Sequence, residues 1–449
     1  MKKLYEGNIK RNFFSFALPL IITILFSQAY NIINTIMAGH LIGDDAISAI
    51  GSTSPLISFI SSLCWGYGTG ISIYVAVLFG RGDYQRMANV IKVNMTASSV
   101  FVIFLSAMCI FFYNSIFDFL NIEQYMRKDA FAYFSVYIAG LVFLNINWCG
   151  VYIANALGLT KLPLIASVIT NILNISINYI LIKVFDMGVG ATAFATIFSA
   201  FCVSIFYVIM MIKTFKELNI KNSKMYFDFK ELKFSFSFAI PSMLQQSVMY
   251  LSSALVSPLT NLCGASAIAG YTIGMRIYDV NAGVYQNSNK TISTFIAQCV
   301  GAGKQSIVKK GIKTGLIQTI LFLLIFLIPT VFLPRSISKL FLDSENSIHY
   351  SVIFMRYCMP FVFFNVINNL VHAIFRSAGA GQYLVISTLI YAVSRYIYSY
   401  LLFDQFEMYG IYAAMVLSWI TEAIFGLIIY YSGKWKSPEY KSFEKIKSN

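Results

Sequence analysis

Between Ser15 and Gly39 the chain reads SFALPLIITILFSQAYNIINTIMAG, about 25 residues with no charged side chain. As a helix rising about 1.5 Å per residue, that stretch spans the roughly 30 Å hydrocarbon core of a bilayer. It also carries Pro19, Gln28, Asn31 and Asn34, polar groups for which a plain anchor has no use. Its opening SFALP (Ser15 to Pro19) returns as SFAIP (Ser237 to Pro241), 222 positions later. One apolar helix and its echo therefore point to a doubled membrane protein.

Composition agrees. Of 449 residues, 58% are hydrophobic and only 12% charged, against about a quarter charged in soluble chains. Apolar runs bounded by Gly, Pro or charge clusters predict an all-α polytopic protein with twelve spans. They fall near 13-38, 47-79, 88-112, 130-157, 163-183, 188-212, 234-261, 266-299, 314-333, 350-375, 383-403 and 409-432. The second and eighth are over-long. Pro55, Gly66, Gly68 and Gly70 mark a candidate break in the second, but the matching length of the eighth favours one long, bent helix in each half. The seven cysteines all lie in apolar runs and read as small core residues, not a disulfide framework or metal site. The basic leader Met1 to Arg11 precedes a run longer than a signal-peptide core, so it is expected to remain attached to the first helix.

A formal charge of +14 raises nucleic acid as a partner. Its distribution removes that reading. With the N-terminus inside, 24 of the 33 basic residues fall on segments of the inner side and five on the outer, the asymmetry that membrane topology imposes. Both termini are expected in the cytoplasm, in a multi-pass protein of the cell (inner or plasma) membrane.

The repeat keeps its register across six helices. At an offset of 221 or 222, Ala46 meets Ala267, Gly80 meets Gly301, Gly82 meets Gly303, Lys92 meets Lys313, Gly158 meets Gly379, Gly188 meets Gly410 and Ala191 meets Ala413. Units with an even number of spans start on the same face, so two six-helix lobes related by a pseudo-two-fold axis along the membrane normal are predicted. The expected division is an N-lobe at 1-212, a cytoplasmic linker at 213-233, a C-lobe at 234-433 and a basic cytoplasmic tail at 434-449. Two such lobes around a midplane cleft suit a secondary transporter. GAGK, Gly301 to Lys304, is not a phosphate loop: Gln298 stands where a glycine is required, and Gln305 where Ser or Thr is required. Its glycine turn instead suits a helix end. No catalytic triad or metal-ligand spacing is visible, so no enzyme, catalytic residue, fixed metal or cofactor is expected.

Several segments together resemble the multidrug and toxic compound extrusion (MATE) family: YNIINTIMAG from Tyr30, DAISAIG from Asp45, LFGRGD from Leu78, MGVGATAFAT from Met187, QCVGAGK from Gln298 and FRSAGA from Phe375. The resemblance covers nearly the whole chain and implies alternating-access export of amphipathic, often cationic compounds in exchange for protons or sodium. It also implies coupling Asp residues in the first and fifth helices. Here those positions hold Asn34 and Asn178, which do not titrate. Asn34 and Asn178, with Asn174 one turn before the latter, are then candidates for an uncharged substrate wall. Tyr30 and Tyr278 are candidates to stack on planar substrates. The plainer role of such asparagines is hydrogen bonding between helices.

Ionisable side chains inside a membrane are costly, and each is a functional hypothesis. All of them fall in the second half. Asp279 and Glu422 are its mid-span carboxylates and, with His372, the candidates for ion coupling; Asp279 comes first. Arg276, Lys290 and Arg395 are the candidate charge partners, Arg276 lying three residues before Asp279 on one helical face. The plain alternative for Glu422 is a neutral acid bonded to Thr421 or backbone, and for His372 a satisfied core histidine. The predicted working unit is a monomer in the lipid bilayer that carries small organic molecules in exchange for H+ or Na+. The main rival is a lipid-linked precursor flippase of a related family, which would need a cationic cleft. A membrane enzyme and a non-transporting scaffold or sensor are the remaining alternatives.

Overall fold

The computed structural model describes residues 1–41, 44–120, 122–185, 187–220 and 227–436; at 29, 31–41, 44–50, 119 and 230 it describes the backbone and not the side chain. The long helices are α1 (Ile9–Leu41), α2 (Asp44–Arg81), α3 (Tyr84–Phe111), α4 (Arg127–Ala139), α5 (Leu141–Ala156), α6 (Lys161–Lys183) and α7 (Gly190–Glu217) in the first half. The second half follows with α8 (Phe229–Leu262), α9 (Ala265–Gly301), α10 (Val308–Phe332), α11 (Glu345–Ile353), α12 (Val362–Ser377) and α13 (Gly381–Ser432).

These correspond to the twelve predicted spans once the breaks are placed. α4 and α5 form the fourth span, bent by 48° around Gly140. α11 and α12 form the tenth, joined through a π turn and a 3-10 turn at Phe354–Cys358 and Met359–Phe361. The two irregular points are again 221 residues apart, Gly140 against Phe361. At about 1.5 Å per residue, the 52 residues of α13 are far too long for one crossing. It breaks at Glu407, where φ is 47° and ψ is −123°, into the eleventh and twelfth spans.

The repeat is visible in helix endings. Gly82 and Gly303 both adopt positive φ, 83° and 65°, as do Gly158 and Gly379, 77° and 72°. In the first pair Asp83 N–H donates to Leu78 O at 3.1 Å and Lys304 N–H to Cys299 O at 2.8 Å; in the second Leu159 N–H reaches Ala154 O and Ala380 N–H reaches Phe375 O, each at 2.8 Å. These are left-handed helix caps, which glycine closes without a Cβ clash. The GAGK segment is therefore a helix stop.

The chain packs as two compact units, one comprising residues 1–2 and 25–243, the other 3–24 and 244–449. Each unit thus includes the leading segment of the other half's first helix. In the first unit Phe234, at the start of α8, meets Tyr74 of α2 edge-on at 4.9 Å and 69°. In the second, Phe13 of α1 meets Phe295 of α9 at 5.0 Å and 64°. Phe13 and Phe234 are 221 residues apart, and so are Tyr74 and Phe295. The duplication copies a reciprocal exchange as well as a helix count.

Within the first unit, α2 runs unbroken through Pro55 and the glycines. A Cβ on Gly66 would lie 2.4 Å from Met243 Cα, and one on Gly70 2.4 Å from the Phe238 carbonyl oxygen. Those glycines form a seam for α8, the close approach that small residues permit between membrane helices. Polar pins fix the seam: Asn94 Nδ2 donates to Ser235 Oγ at 3.0 Å, while Tyr67 Oη donates to Asn94 Oδ1 at 2.9 Å. Nearer its start, α8 offers Glu231 to Arg86 at 2.6 Å and to Tyr74 Oη at 2.7 Å.

Candidate functional site

A buried chain of polar groups runs through the second unit. Arg376 on α12 donates to Gln245 Oε1 on α8, and Gln245 Nε2 lies 2.9 Å from His372 Nδ1, one turn before Arg376. His372 Nε2 in turn faces Glu422 Oε1 at 3.0 Å and Ser387 Oγ at 3.2 Å, both on α13. Ser387 Oγ also donates to the same carboxylate oxygen at 3.4 Å. His372 and Glu422 are 5% and 4% exposed, so they meet away from bulk solvent.

The donors and acceptors fix the protons. Arginine only donates, so the oxygen of the Gln245 amide must face Arg376 and its NH2 must face His372. Nδ1 then accepts, the imidazole is neutral, and its single hydrogen sits on Nε2, directed at Glu422. Protonating Nδ1 would require the amide to turn its NH2 toward Arg376, donor against donor. Glu422 Oε1 thus faces two donors, His372 Nε2 and Ser387 Oγ, and Arg376 stands at the far end of the same chain.

The plain expectation for Glu422 is corrected here. Thr421 donates to Leu417 O and pairs with Tyr398 Oη instead, because adjacent helical positions lie about 100° apart and face different neighbours. His372 satisfies both ring nitrogens, and one of its partners is the Glu422 carboxyl.

The remaining predicted residues of this half divide between an aromatic layer and the surface. Tyr278 accepts from Asn365 Nδ2 at 2.6 Å, pairs with Tyr285 Oη at 3.1 Å and stacks on Trp419 at 5.5 Å and 14°. It belongs to the packing of its unit. Arg395 is buried, its Nη1 donating to Tyr391 Oη at 3.0 Å and Ser253 Oγ at 3.2 Å. Asp279 and Arg276 are exposed on α9. The Arg276 charge acts on Asp279, but no ion pair joins the two within 4.0 Å among the described residues. A mid-span carboxylate left exposed needs a water-filled surrounding, since lipid solvates it poorly. Lys290 donates to Asn287 Oδ1 at 3.1 Å, three residues back on the same helix.

In the first unit, Tyr30 and Asn174 converge on Thr196 of α7. Asn174 Nδ2 donates to Thr196 Oγ1 at 3.0 Å, and the Tyr30 hydroxyl reaches the same group. Asn174 Oδ1 is buried with no hydrogen-bond partner among the described residues. Asn178, one turn further along α6, is fully buried. The cluster is uncharged, as its sequence implies. The side chain of Asn34 lies outside the described residues.

Gln245, Arg376 and Ser387 are the members of the buried chain that sequence reasoning passes over as site residues. Arg376 reads from sequence as an inner-side charge, although its position one turn after His372 is an available signal. Nothing local marks Gln245, 127 residues from its partner.

Comparison with known proteins bears on the whole chain. The family described as MatE matches residues 19–180 and 241–401, one copy in each half. The chain is 22% identical to the probable multidrug resistance protein YpnP of Bacillus subtilis (strain 168), covering 96% of this chain and 97% of that one. It is 21% identical to the probable multidrug resistance protein NorM of Thermotoga maritima, over 98% and 96% of the two. Among solved structures, a crystal structure of MATE in complex with MaL6 superposes with a TM-score of 0.89 at 19% identity, covering 99% of each chain. That degree of likeness establishes a shared fold.

Proposed function

This chain belongs to the MatE family of membrane transporters, and from that premise we propose that it is a secondary active antiporter. It exports amphipathic or cationic organic compounds by alternating access, and an inward-moving ion resets the cycle. The relatives named for multidrug resistance support the efflux reading. The observation that carries the coupling is the His372–Glu422 contact at 3.0 Å, inside a buried, tautomer-defined chain. Coupling requires one group whose charge changes with ion binding and whose neighbours register the change. We place Glu422 ahead of Asp279 because its carboxyl is buried against His372 and Ser387, whereas Asp279 has no ion pair within 4.0 Å among the described residues.

The geometry favours a proton over sodium. A hydrogen on Nε2 directed at the carboxylate occupies the side from which a metal ion would need a lone pair. Asn34, Asn174, Asn178 and Tyr30 then serve as neutral walls for the cargo, and His372 positions Glu422. Purified protein in liposomes, tested for ethidium movement under separate proton and sodium gradients, decides the matter. Movement driven by the proton gradient alone supports this assignment, movement driven by sodium alone transfers the coupling to sodium, and no movement under either refutes antiport.

A lipid-linked precursor flippase remains the second reading. Its support is the cationic set Arg276, Lys290 and Arg395, all on the second unit. Headgroup translocation without any ion gradient would favour it.

A further inference from the structure

The interior of the second unit holds a cation that the coupling scheme leaves unused. Arg395, on the first half of α13, is 4% exposed, and among the described residues no carboxylate lies within 4.0 Å of it. Its neighbours are neutral: Ser253 Oγ, the Tyr391 hydroxyl and ring, and the tyrosines Tyr271 and Tyr278. Asp279 bears on those same two tyrosines without reaching the guanidinium. Yet none of the Arg395 nitrogens is both sealed from solvent and without a partner. The Tyr271 side chain is a further hydrogen-bond partner of the guanidinium, and Ser253, beside it, is itself exposed on α8.

A fixed guanidinium within a membrane interior is costly to keep without a counter-charge. It cannot shed its proton to relieve that cost, as lysine can. Hydroxyl groups give it acceptors but no negative charge. Around it lie flat aromatic faces, Tyr271 on Tyr412 at 6.0 Å and Tyr278 on Trp419 at 5.5 Å. A forked cation beside stacked rings is complementary to a planar compound bearing a carboxylate or another oxyanion.

We propose that Arg395 is the selectivity residue of a substrate subsite for organic anions with a planar aromatic body. The assignment rests on the transporter reading and sharpens its substrate class: the amphiphile that this unit prefers carries a negative group. Cationic compounds then meet the neutral wall of the first unit and gain nothing from Arg395. Asp279, close to the same tyrosines, disfavours a second negative group on the cargo and sets the preference at a single one.

The test compares naphthalene-1-carboxylate with its neutral counterpart naphthalene-1-carboxamide, by equilibrium dialysis against the full-length protein in lipid nanodiscs, with empty nanodiscs as the blank. The carboxylate is expected to bind at least about tenfold more tightly, roughly the lower range for a hydrogen bond to a charged group. Arg395→Gln should remove that ratio and Arg395→Lys should keep part of it. Ser253→Asp, at an exposed position within reach of the guanidinium, supplies an internal counter-ion and should abolish the ratio even if Arg395→Gln does not fold. Equal binding of the two probes to the unaltered protein, or a ratio that survives Ser253→Asp, overturns the proposal. Binding does not depend on transport, so gradient-driven ethidium efflux without anion preference refutes this subsite alone. Anion preference without any gradient-driven efflux refutes the antiporter reading alone.

Discussion

His372 Nε2 and Glu422 Oε1 stand 3.0 Å apart, and the hydrogen between them belongs to the imidazole because Gln245 occupies the other ring nitrogen. The pair is thus a neutral donor facing an acid, with Arg376 as the distant counter-charge. In the antiport scheme proposed above, a proton taken up here changes the charge of the cluster by one, and its release leaves the Glu422 carboxylate facing His372 Nε2 and Ser387 Oγ.

Glu422→Gln keeps the shape and removes the charge change. Gradient-driven ethidium efflux should fall by about a hundredfold, the size usual when a positioned proton-transfer group is lost, while ethidium binding to the purified protein persists. Glu422→Asp should retain measurable efflux. If the Gln variant pumps at the normal rate, coupling does not pass through this residue.

Gln245→Glu tests the tautomer itself. A carboxylate at this position only accepts, so Nδ1 must carry a hydrogen to bond with it. Nitrogen-15 resonances of His372 should then change from the neutral pattern, with hydrogen on Nε2 alone, to a pattern with hydrogen on Nδ1. A spectrum already showing hydrogen on Nδ1 in the unaltered protein would remove the basis for placing the transported proton on Glu422.

The helix count, the repeat and the glycine stops were legible in the sequence because each leaves a local mark. Hydropathy reports a bilayer crossing, and Gly82 with Gly303 reports a left-handed cap wherever it occurs. The site was legible only in part. Glu422 and His372 stood out as ionisable groups in apolar runs, but they are 50 residues apart on different helices, and no periodicity within one helix tells which faces meet. Arg276 and Asp279 illustrate the opposite case: a three-residue spacing put them on one face, and among the described residues the structure leaves them exposed with no ion pair within 4.0 Å. Nor did the chain advertise that its two halves exchange their leading segments, since Phe13 and Phe234 are ordinary apolar residues until Phe295 and Tyr74 are seen beside them.

The glycine seam of α2 yields a contrast inside a single helix. Gly70→Ala puts a methyl group 2.4 Å from a backbone oxygen that cannot move alone, and overpacking of this kind costs about 1–3 kcal/mol. Gly51→Ala, with nothing within 4 Å of the added Cβ, should be neutral or gain up to about 1 kcal/mol from helix propensity. Melting of the two variants in detergent, followed by tryptophan fluorescence, should place Gly70→Ala below the unaltered protein and Gly51→Ala level with it or above it.

The two cap glycines of the first half separate conformational cost from crowding. Gly82 has φ of 83° and nothing within 4 Å of an added Cβ, whereas Gly158, at 77°, would set its Cβ 2.4 Å from the Lys2 carbonyl oxygen. Gly82→Ala should therefore cost about 1–2 kcal/mol, the left-handed penalty of an L-residue alone. Gly158→Ala should cost more, because it also displaces the leading residues Met1 and Lys2, whose Lys2 N–H donates to Leu157 O at 3.1 Å. Thermal melting of both variants gives the comparison, and truncation of Met1 and Lys2 should shrink the difference between them. Equal destabilisation in the full chain would mean that the leading residues yield freely, and that their contact with the cap contributes nothing to stability.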